Sequence, residues 1–203
     1  MFPFDVILFD VGGVLLTNGW DHSERAVVLS QFGLDRAEFE ARHPLAYDAW
    51  ERDAITVDDY LDATVFYEPR TFTHQDFIAA ICAQSKVLPD SGLGILGELA
   101  ASHNYMLGAL NNEARITNEY RFRKFGLRNY FDIALSSCYL GLRKPAPAIY
   151  RRALDILGSP PERILFIDDR QENVAASAAA GIKTIRFEGA VPLRRDLEYL
   201  EVF

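Results

Sequence analysis

Val6-Ile7-Leu8-Phe9-Asp10-Val11-Gly12-Gly13 is the stretch on which the fold of this chain turns. Four apolar residues in a row, without the in-out alternation of a half-exposed strand, fit a strand covered on both faces in the middle of a parallel sheet. Asp10 and the glycine pair close that strand in a tight polar loop. Runs of the same character recur at residues 105–110, 163–167 and 182–187, with a shorter one at 131–135. Between them, helical patterning predicts helices over 92–103, 115–125, 147–157 and 172–180. Strand alternating with helix predicts an α/β fold, a doubly wound, Rossmann-like, mostly parallel sheet with right-handed crossovers and a ligand site at the carboxyl ends of its strands.

Residues 21–84 interrupt that rhythm. Phe39, Leu45, Ala49 and Trp50, then Tyr60, Leu61 and Val65, then Phe77, Ile78 and Ile81 keep helical spacing, and no buried-strand run falls among them. Thr56 with Asp59, and Thr73 with Asp76, have the spacing of capping boxes and mark the starts of the third and fourth helices of this segment. The expected organisation is a core made of residues 1–18 and 85–203 carrying a small helical insertion at 19–84. Residues 192–200 are expected to form a surface helix.

The composition, 49% hydrophobic and 25% charged over 203 residues, is that of a globular protein with chain enough for one domain and an insertion. Asp and Glu number 29 against 21 Lys and Arg, and the formal charge of -8 works against nucleic-acid or anionic-membrane partners. No apolar run approaches the roughly 20 residues of a membrane span, and the first five residues carry no basic leader. Cys82 and Cys138 stand far apart in apolar surroundings, which excludes a zinc knuckle or a disulfide framework and points to a reducing, cytoplasmic setting. A monomer or a homodimer is expected.

Polar residues follow the apolar runs directly: Asp10, the pair Asn111 and Asn112, and the pair Asp168 and Asp169. In a parallel sheet all five project from one edge. Three converging carboxylates repel one another unless a cation sits among them, and magnesium fits best, because it takes oxygen ligands and keeps waters for a phosphate to displace. Taken singly, each aspartate reads more readily as a helix cap or an Asx-turn residue.

In this order the motifs resemble the haloacid dehalogenase (HAD) superfamily of phosphohydrolases over nearly the whole chain. Phe9-Asp10-Val11-Gly12-Gly13-Val14 is similar to the first motif, Leu107-Gly108-Ala109-Leu110-Asn111-Asn112 holds the place of the second, Gly141-Leu142-Arg143-Lys144-Pro145 is similar to the third, and Ile164 through Asn173 to the acidic fourth. The resemblance implies that Asp10 is a nucleophile that becomes an aspartyl-phosphate. It also implies that Lys144 steadies the nucleophile and the phosphate, that the Gly12-Gly13 turn with Asn111 and Asn112 binds phosphate, and that Asp10, the Gly12 carbonyl, Asp168 and Asp169 hold magnesium, Asp169 more directly than Asp168. Lys144 on its own reads as a solvated loop cation, and Asn111 equally as the cap of the helix that follows.

The insertion resembles the helical cap of the subgroup that includes haloacid dehalogenases, sugar 1-phosphate phosphatases and the phosphatase domain of epoxide hydrolases; such caps close over the core and choose the substrate. Trp20, His22, Arg42, His43, Trp50 and Arg52 are candidate cap contacts, with core packing the alternative for the aromatics, while His74 and His103 read as surface residues. Two positions depart from the pattern. Gly12 stands where the family has a second Asp that serves as general acid, and Asn111 stands where it has Ser or Thr. Losing a positioned acid forfeits about 10² to 10⁴ in rate, most for strongly basic leaving groups and least for anomeric or acyl phosphates. The expected function is a magnesium-dependent phosphatase of a small phosphorylated metabolite, plausibly a sugar phosphate; the alternatives are a 2-haloacid dehalogenase and a catalytically weak binding or regulatory protein.

Overall fold

A computed structural model describes residues 3–203; Met1 and Phe2, the start of the expected first core segment, lie outside the described residues. Five strands, β1 (Val6–Phe9), β2 (Met106–Ala109), β3 (Ile133–Ala134), β4 (Ile164–Asp168) and β5 (Lys183–Arg186), form one sheet in the order β3-β2-β1-β4-β5. All four pairings are parallel. β1 is central because it is the most thoroughly apolar stretch, and every one of its residues is buried. Its alternation sorts the two faces. Ile7 and Phe9 join a cluster with Leu96, Leu99, Leu193 and Leu197, whereas Val6 and Leu8 join Ile149, Tyr150, Ala153 and Phe166.

The first face is covered by α5 (Leu93–Ser102) and α10 (Ala190–Tyr199), the second chiefly by α8 (Pro147–Leu157). The helix expected at 192–200 is therefore more than a surface element, since Leu193 and Leu197 are fully buried in the sheet's core. Two further helices complete the layers: α6 (Arg115–Lys124), whose Phe122 joins the first face's cluster, and α9 (Gln171–Ala179), which leaves β4 after a two-residue turn and packs Ala176 against the second. A single-turn helix, α7 (Ser137–Leu140), follows β3.

The segment without strand signals forms α1 (His22–Gln31), α2 (Arg36–Glu51), α3 (Val57–Thr64) and α4 (His74–Ala83). These pack on one another around an apolar cluster of their own, with Trp20, Phe39, Trp50, Tyr60, Leu61 and Phe77 at its heart. Both expected capping boxes are present. Thr56 Oγ1 accepts from the Asp59 amide at 3.1 Å while Asp59 Oδ2 accepts from the Thr56 amide at 2.9 Å; Thr73 and Asp76 repeat the pattern at 3.2 and 2.9 Å. Thr73→Ala removes one of these reciprocal bonds and is expected to cost about 1 kcal/mol, read as a lower urea midpoint at constant slope.

Cys82 in α4 and Cys138 in α7 are both buried free thiols, and burial pushes them up to about 11 and about 12.

Candidate active site

The strand order reverses beside β1, where chain progress to β2 and β3 on one side gives way to β4 and β5 on the other. That is the switch point where a crevice opens beyond the carboxyl ends of the strands. Asp10 leaves β1 there, held to β4 by its amide, which donates to the Ile167 carbonyl at 2.8 Å. Asp168 ends β4 alongside. Lys144 reaches both from the loop after α7: its Nζ donates to Asp168 Oδ2 at 2.6 Å and lies 3.0 Å from Asp10 Oδ2. Its backbone is clamped by Asn112, whose Nδ2 donates to the Lys144 carbonyl at 2.8 Å while its Oδ1 accepts from the Lys144 amide at 2.8 Å. Lys144 is 3% exposed, so it is no solvated loop cation.

Asp168 is fully buried and saturated. It accepts from Lys144, from the Arg170 amide at 2.8 Å and from Asn173 Nδ2 at 3.0 Å. Asp169 is the contrast, because its Oδ1 is buried with no hydrogen-bond partner in the protein. Asp10, Asp168 and Asp169 each offer an oxygen within 4.8 Å of the others. Gly13, at φ +74°, makes the approach possible; a Cβ there would lie 2.3 Å from Asp169 Oδ2. Three close carboxylates, one of them with an orphaned buried oxygen, and a single ammonium are a donor set that fits a hard divalent cation. The electrostatics agree. Without such a cation, burial and the neighbouring Asp168 and Asp169 carboxylates push Asp10 up to about 8 against the pull of Lys144. Burial and Asp168 likewise raise Asp169. Burial draws the Lys144 ammonium down, but Asp10 and Asp168 outweigh it and hold its pKa above the ordinary value.

Above this cluster lies a cavity of about 420 Å³, lined by Asp10, Gly12, Asn112 and Lys144 from the strand ends and by Trp20, His22, His43 and Glu51 from the side of α1 and α2. Of the candidate cap contacts, Trp20, His22 and His43 therefore reach it. The other three lie elsewhere. Arg42 sits over the Tyr67 ring at 3.6 Å, Trp50 stacks on Tyr60 at 4.1 Å inside the helical cluster, and Arg52 pairs with Asp48 on the surface. Asn111 also departs from its sequence reading. It does not cap α6, whose N-cap is Ala114, and it does not line the cavity; its Nδ2 donates to Asn118 at 3.0 Å and its Oδ1 accepts from Ser136 at 2.7 Å. Sequence reasoning missed Arg25, Tyr47, Glu51, Arg121 and Arg143, all of which line the cavity. Only the position of Arg143 beside Lys144 gave a signal.

His43 illustrates how the cavity wall is wired. Trp20 Nε1 donates to Tyr60 Oη at 2.8 Å, and His43 Nδ1 lies 2.8 Å from the same oxygen. The assignment that satisfies all three has Tyr60 donating to His43, leaving the imidazole neutral with its proton on Nε2. Burial, then the Arg25 guanidinium, lowers His43 to about 4. A depressed histidine binds its proton more readily in the unfolded chain, so stability is lost as pH falls from about 6.5 towards 4. His43→Gln is expected to flatten that limb by at most about 3 kcal/mol, checked by chemical denaturation at pH 4.5 and 7.

Among curated relatives, the chain is 27% identical over 198 residues to the chloroplast flavin mononucleotide hydrolase 1 of Arabidopsis thaliana, covering 97% of this chain and 78% of that one. It is 35% identical over 72 residues to bifunctional epoxide hydrolase 2 of Rattus norvegicus, covering 36% of this chain and only 13% of that one. A HAD family enzyme of Bacteroides thetaiotaomicron, solved in complex with magnesium and inorganic phosphate, superposes with a TM-score of 0.78 at 21% identity, covering 92% of this chain and 95% of that one. A family model described as haloacid dehalogenase-like hydrolase matches residues 4–181, and with it this chain belongs to the haloacid dehalogenase-like hydrolases.

Proposed function

We propose that the chain is a magnesium-dependent phosphatase acting on a small phosphorylated metabolite such as a sugar phosphate, through an aspartyl-phosphate on Asp10. The observation that carries this reading is the convergence of Asp10, Asp168, Asp169 and Lys144, of which Asp10 and Lys144 line the cavity. A carboxylate attacking phosphorus needs its charge masked from the incoming phosphate, and magnesium held by Asp10, Asp169, the Gly12 carbonyl and, through water, Asp168 would supply that masking. Lys144 places a second positive charge against the nucleophile. Asn112, by fixing the Lys144 backbone, keeps the ammonium in place, and the Gly12-Gly13 turn gives the phosphate a close approach. Asn111 acts one step back, bracing Asn118 and Ser136 beneath this edge.

The helices at 19–84 are read as a cap over a core of residues 1–18 and 85–203. Their own apolar cluster supports this, as do the ion pairs that tie the two segments together: Arg143 with Asp48 and Glu51, Arg115 with Asp53, and Arg170 with Asp21. The relatives also support a phosphate ester as substrate, since a phosphoglycolate phosphatase of Aquifex aeolicus is 29% identical over 87 residues, 43% of this chain and 41% of that one. The buried free thiols suit a reducing compartment such as the cytoplasm. No helix among the described residues is long and apolar enough to cross a membrane. The dehalogenase alternative is disfavoured by the Asp168-Asp169 pair, which crowds negative charge where a carboxylate substrate would bind.

A panel of phosphorylated metabolites assayed for phosphate release with and without magnesium tests the reading. Beryllium fluoride with magnesium is expected to raise the melting temperature by ligand linkage. Absence of both effects rejects the phosphatase in favour of a binding protein.

A further inference from the structure

Expelling an alcohol from phosphorus calls for a proton donor near the bridging oxygen, and the cavity has almost none to spare. Asp21, Glu40, Glu51 and Glu113 are each paired with an arginine. His43 is held neutral by Tyr60 through Nδ1 and its Nε2–H is no acid, and His22 Nδ1 accepts from Arg25 Nη2. Among the described residues, the one charged side chain on the wall without a hydrogen bond or ion pair is Glu172, exposed in the first turn of α9. Among the neutral groups, Asn18 is different: it lines the cavity with Asp10, is exposed to it, and its side-chain amide has no hydrogen-bond partner among the described residues.

Its placement is built. The Thr17 amide donates to the Lys86 carbonyl at 2.9 Å, the Thr17 carbonyl accepts from Arg121, and the Trp20 amide donates to the Asn18 carbonyl at 2.9 Å. The backbone is thus pinned on both sides while the amide stays uncommitted. A Cβ added to Gly12 would meet Asn18 Oδ1 at 3.1 Å and Asn18 Cα at 3.5 Å, so Asn18 fills the space that a side chain at position 12 would enter beside the nucleophile.

We propose that Asn18 is the leaving-group contact of this site and that the substrates are phosphates whose leaving group is a weak base, acyl or anomeric phosphates rather than phosphates of primary alcohols. The inference rests on the phosphatase reading above. In the first transfer the Asp10 carboxylate bonds to phosphorus as the bond to the bridging oxygen breaks. That oxygen keeps the electron pair, is met by the Asn18 N–H, and takes its proton from water. In the second, water bonds to phosphorus with Asn18 Oδ1 accepting from it, the bond from Asp10 breaks, and the water's protons pass to the released phosphate and solvent. An amide donates a hydrogen bond but surrenders no proton, so the leaving oxygen must bear its own charge.

The test is turnover on nitrophenyl phosphate, phenyl phosphate, acetyl phosphate and a primary alkyl phosphate, with wild type, Asn18→Ala, Asn18→Asp and Glu172→Gln. Wild-type kcat/KM is expected to fall at least about 10³-fold from the nitrophenyl to the alkyl ester. Asn18→Ala is expected to lose roughly 10²-fold across the series with unchanged melting temperature and magnesium affinity. Asn18→Asp is expected to flatten the leaving-group dependence and to add a basic limb to the pH profile. Equal rates for all leaving groups, an Asn18→Ala enzyme within twofold of wild type, or a collapse of alkyl-ester turnover in Glu172→Gln each overturns the proposal. Failure to release phosphate from any of the four substrates, with no stabilisation by beryllium fluoride, rejects instead the phosphatase on which it rests.

Discussion

Asp10→Asn is expected to abolish turnover, by roughly 10⁴-fold or more, while making the magnesium-free protein more stable. The loss follows from chemistry: an amide in place of the attacking carboxylate cannot form the acyl phosphate, and removal of a nucleophile costs about as much as removal of the catalytic set it belongs to. The gain follows from charge. Three carboxylates lie within 4.8 Å of one another against a single ammonium, and Asp10 is buried among them. A neutral isostere relieves that repulsion while Lys144 keeps its 2.6 Å partner, Asp168. A rise of about 1 kcal/mol in chelator is expected, with the order reversed in excess magnesium, where wild type gains more from the ion. Single-turnover phosphate release and paired melting curves read both effects. Retention of turnover would show that Asp10 is not the nucleophile.

Lys144→Met makes the opposite stability prediction from the same cluster. Its ammonium is the shared partner of two buried carboxylates, and taking away one member of a buried ion pair leaves uncompensated charge at a cost of about 3 to 5 kcal/mol. Turnover is expected to fall by roughly 10³-fold, since a preorganised cation facing the transferring phosphoryl group is lost. Magnesium is expected to restore much of the stability, because it answers the same negative charge, but not the activity, because it does not stand where Nζ stood. Melting temperature and kcat measured across a magnesium titration separate the two. Parallel recovery of both would mean that the lysine serves only to neutralise the cluster.

The strands that carry Asp10 and Asp168 were legible because burial on both faces leaves an unbroken apolar run, and β1 and β4 are the two most buried strands of the sheet. β3 was harder to place, being two residues long and only half-buried. Both capping boxes could be read because their partners are three residues apart. What could not be read were interactions set by the tertiary fold. Arg121, in a helix whose charges suggest solvent, is 1% exposed, paired with Glu113 eight positions earlier and bonded to the Thr17 carbonyl across 104. Asn111 resembled a ligand-facing residue at a strand end, yet its partners Asn118 and Ser136 come from α6 and the loop after β3. Pro44 sits inside α2 and lines the cavity, although proline normally argues against a helix interior. Of the six candidate cap contacts, the three that miss the cavity show the weakness of residue type alone as a guide: an aromatic or an arginine at helical spacing serves a core or a surface pair equally well.

The buried thiols have a practical use. Alkylation by maleimides proceeds through the thiolate, and at neutral pH groups pushed to about 11 and about 12 hold a vanishing fraction of it. The natural chain can therefore host spectroscopic probes without first being stripped of its own cysteines. Asp58→Cys on α3 and Glu162→Cys before β4 are exposed positions, one in each segment, where a donor and an acceptor dye would attach selectively. Energy transfer between them would then report, in real time and in unaltered surroundings, whether the distance between the helical segment and the sheet changes as phosphate and magnesium come and go.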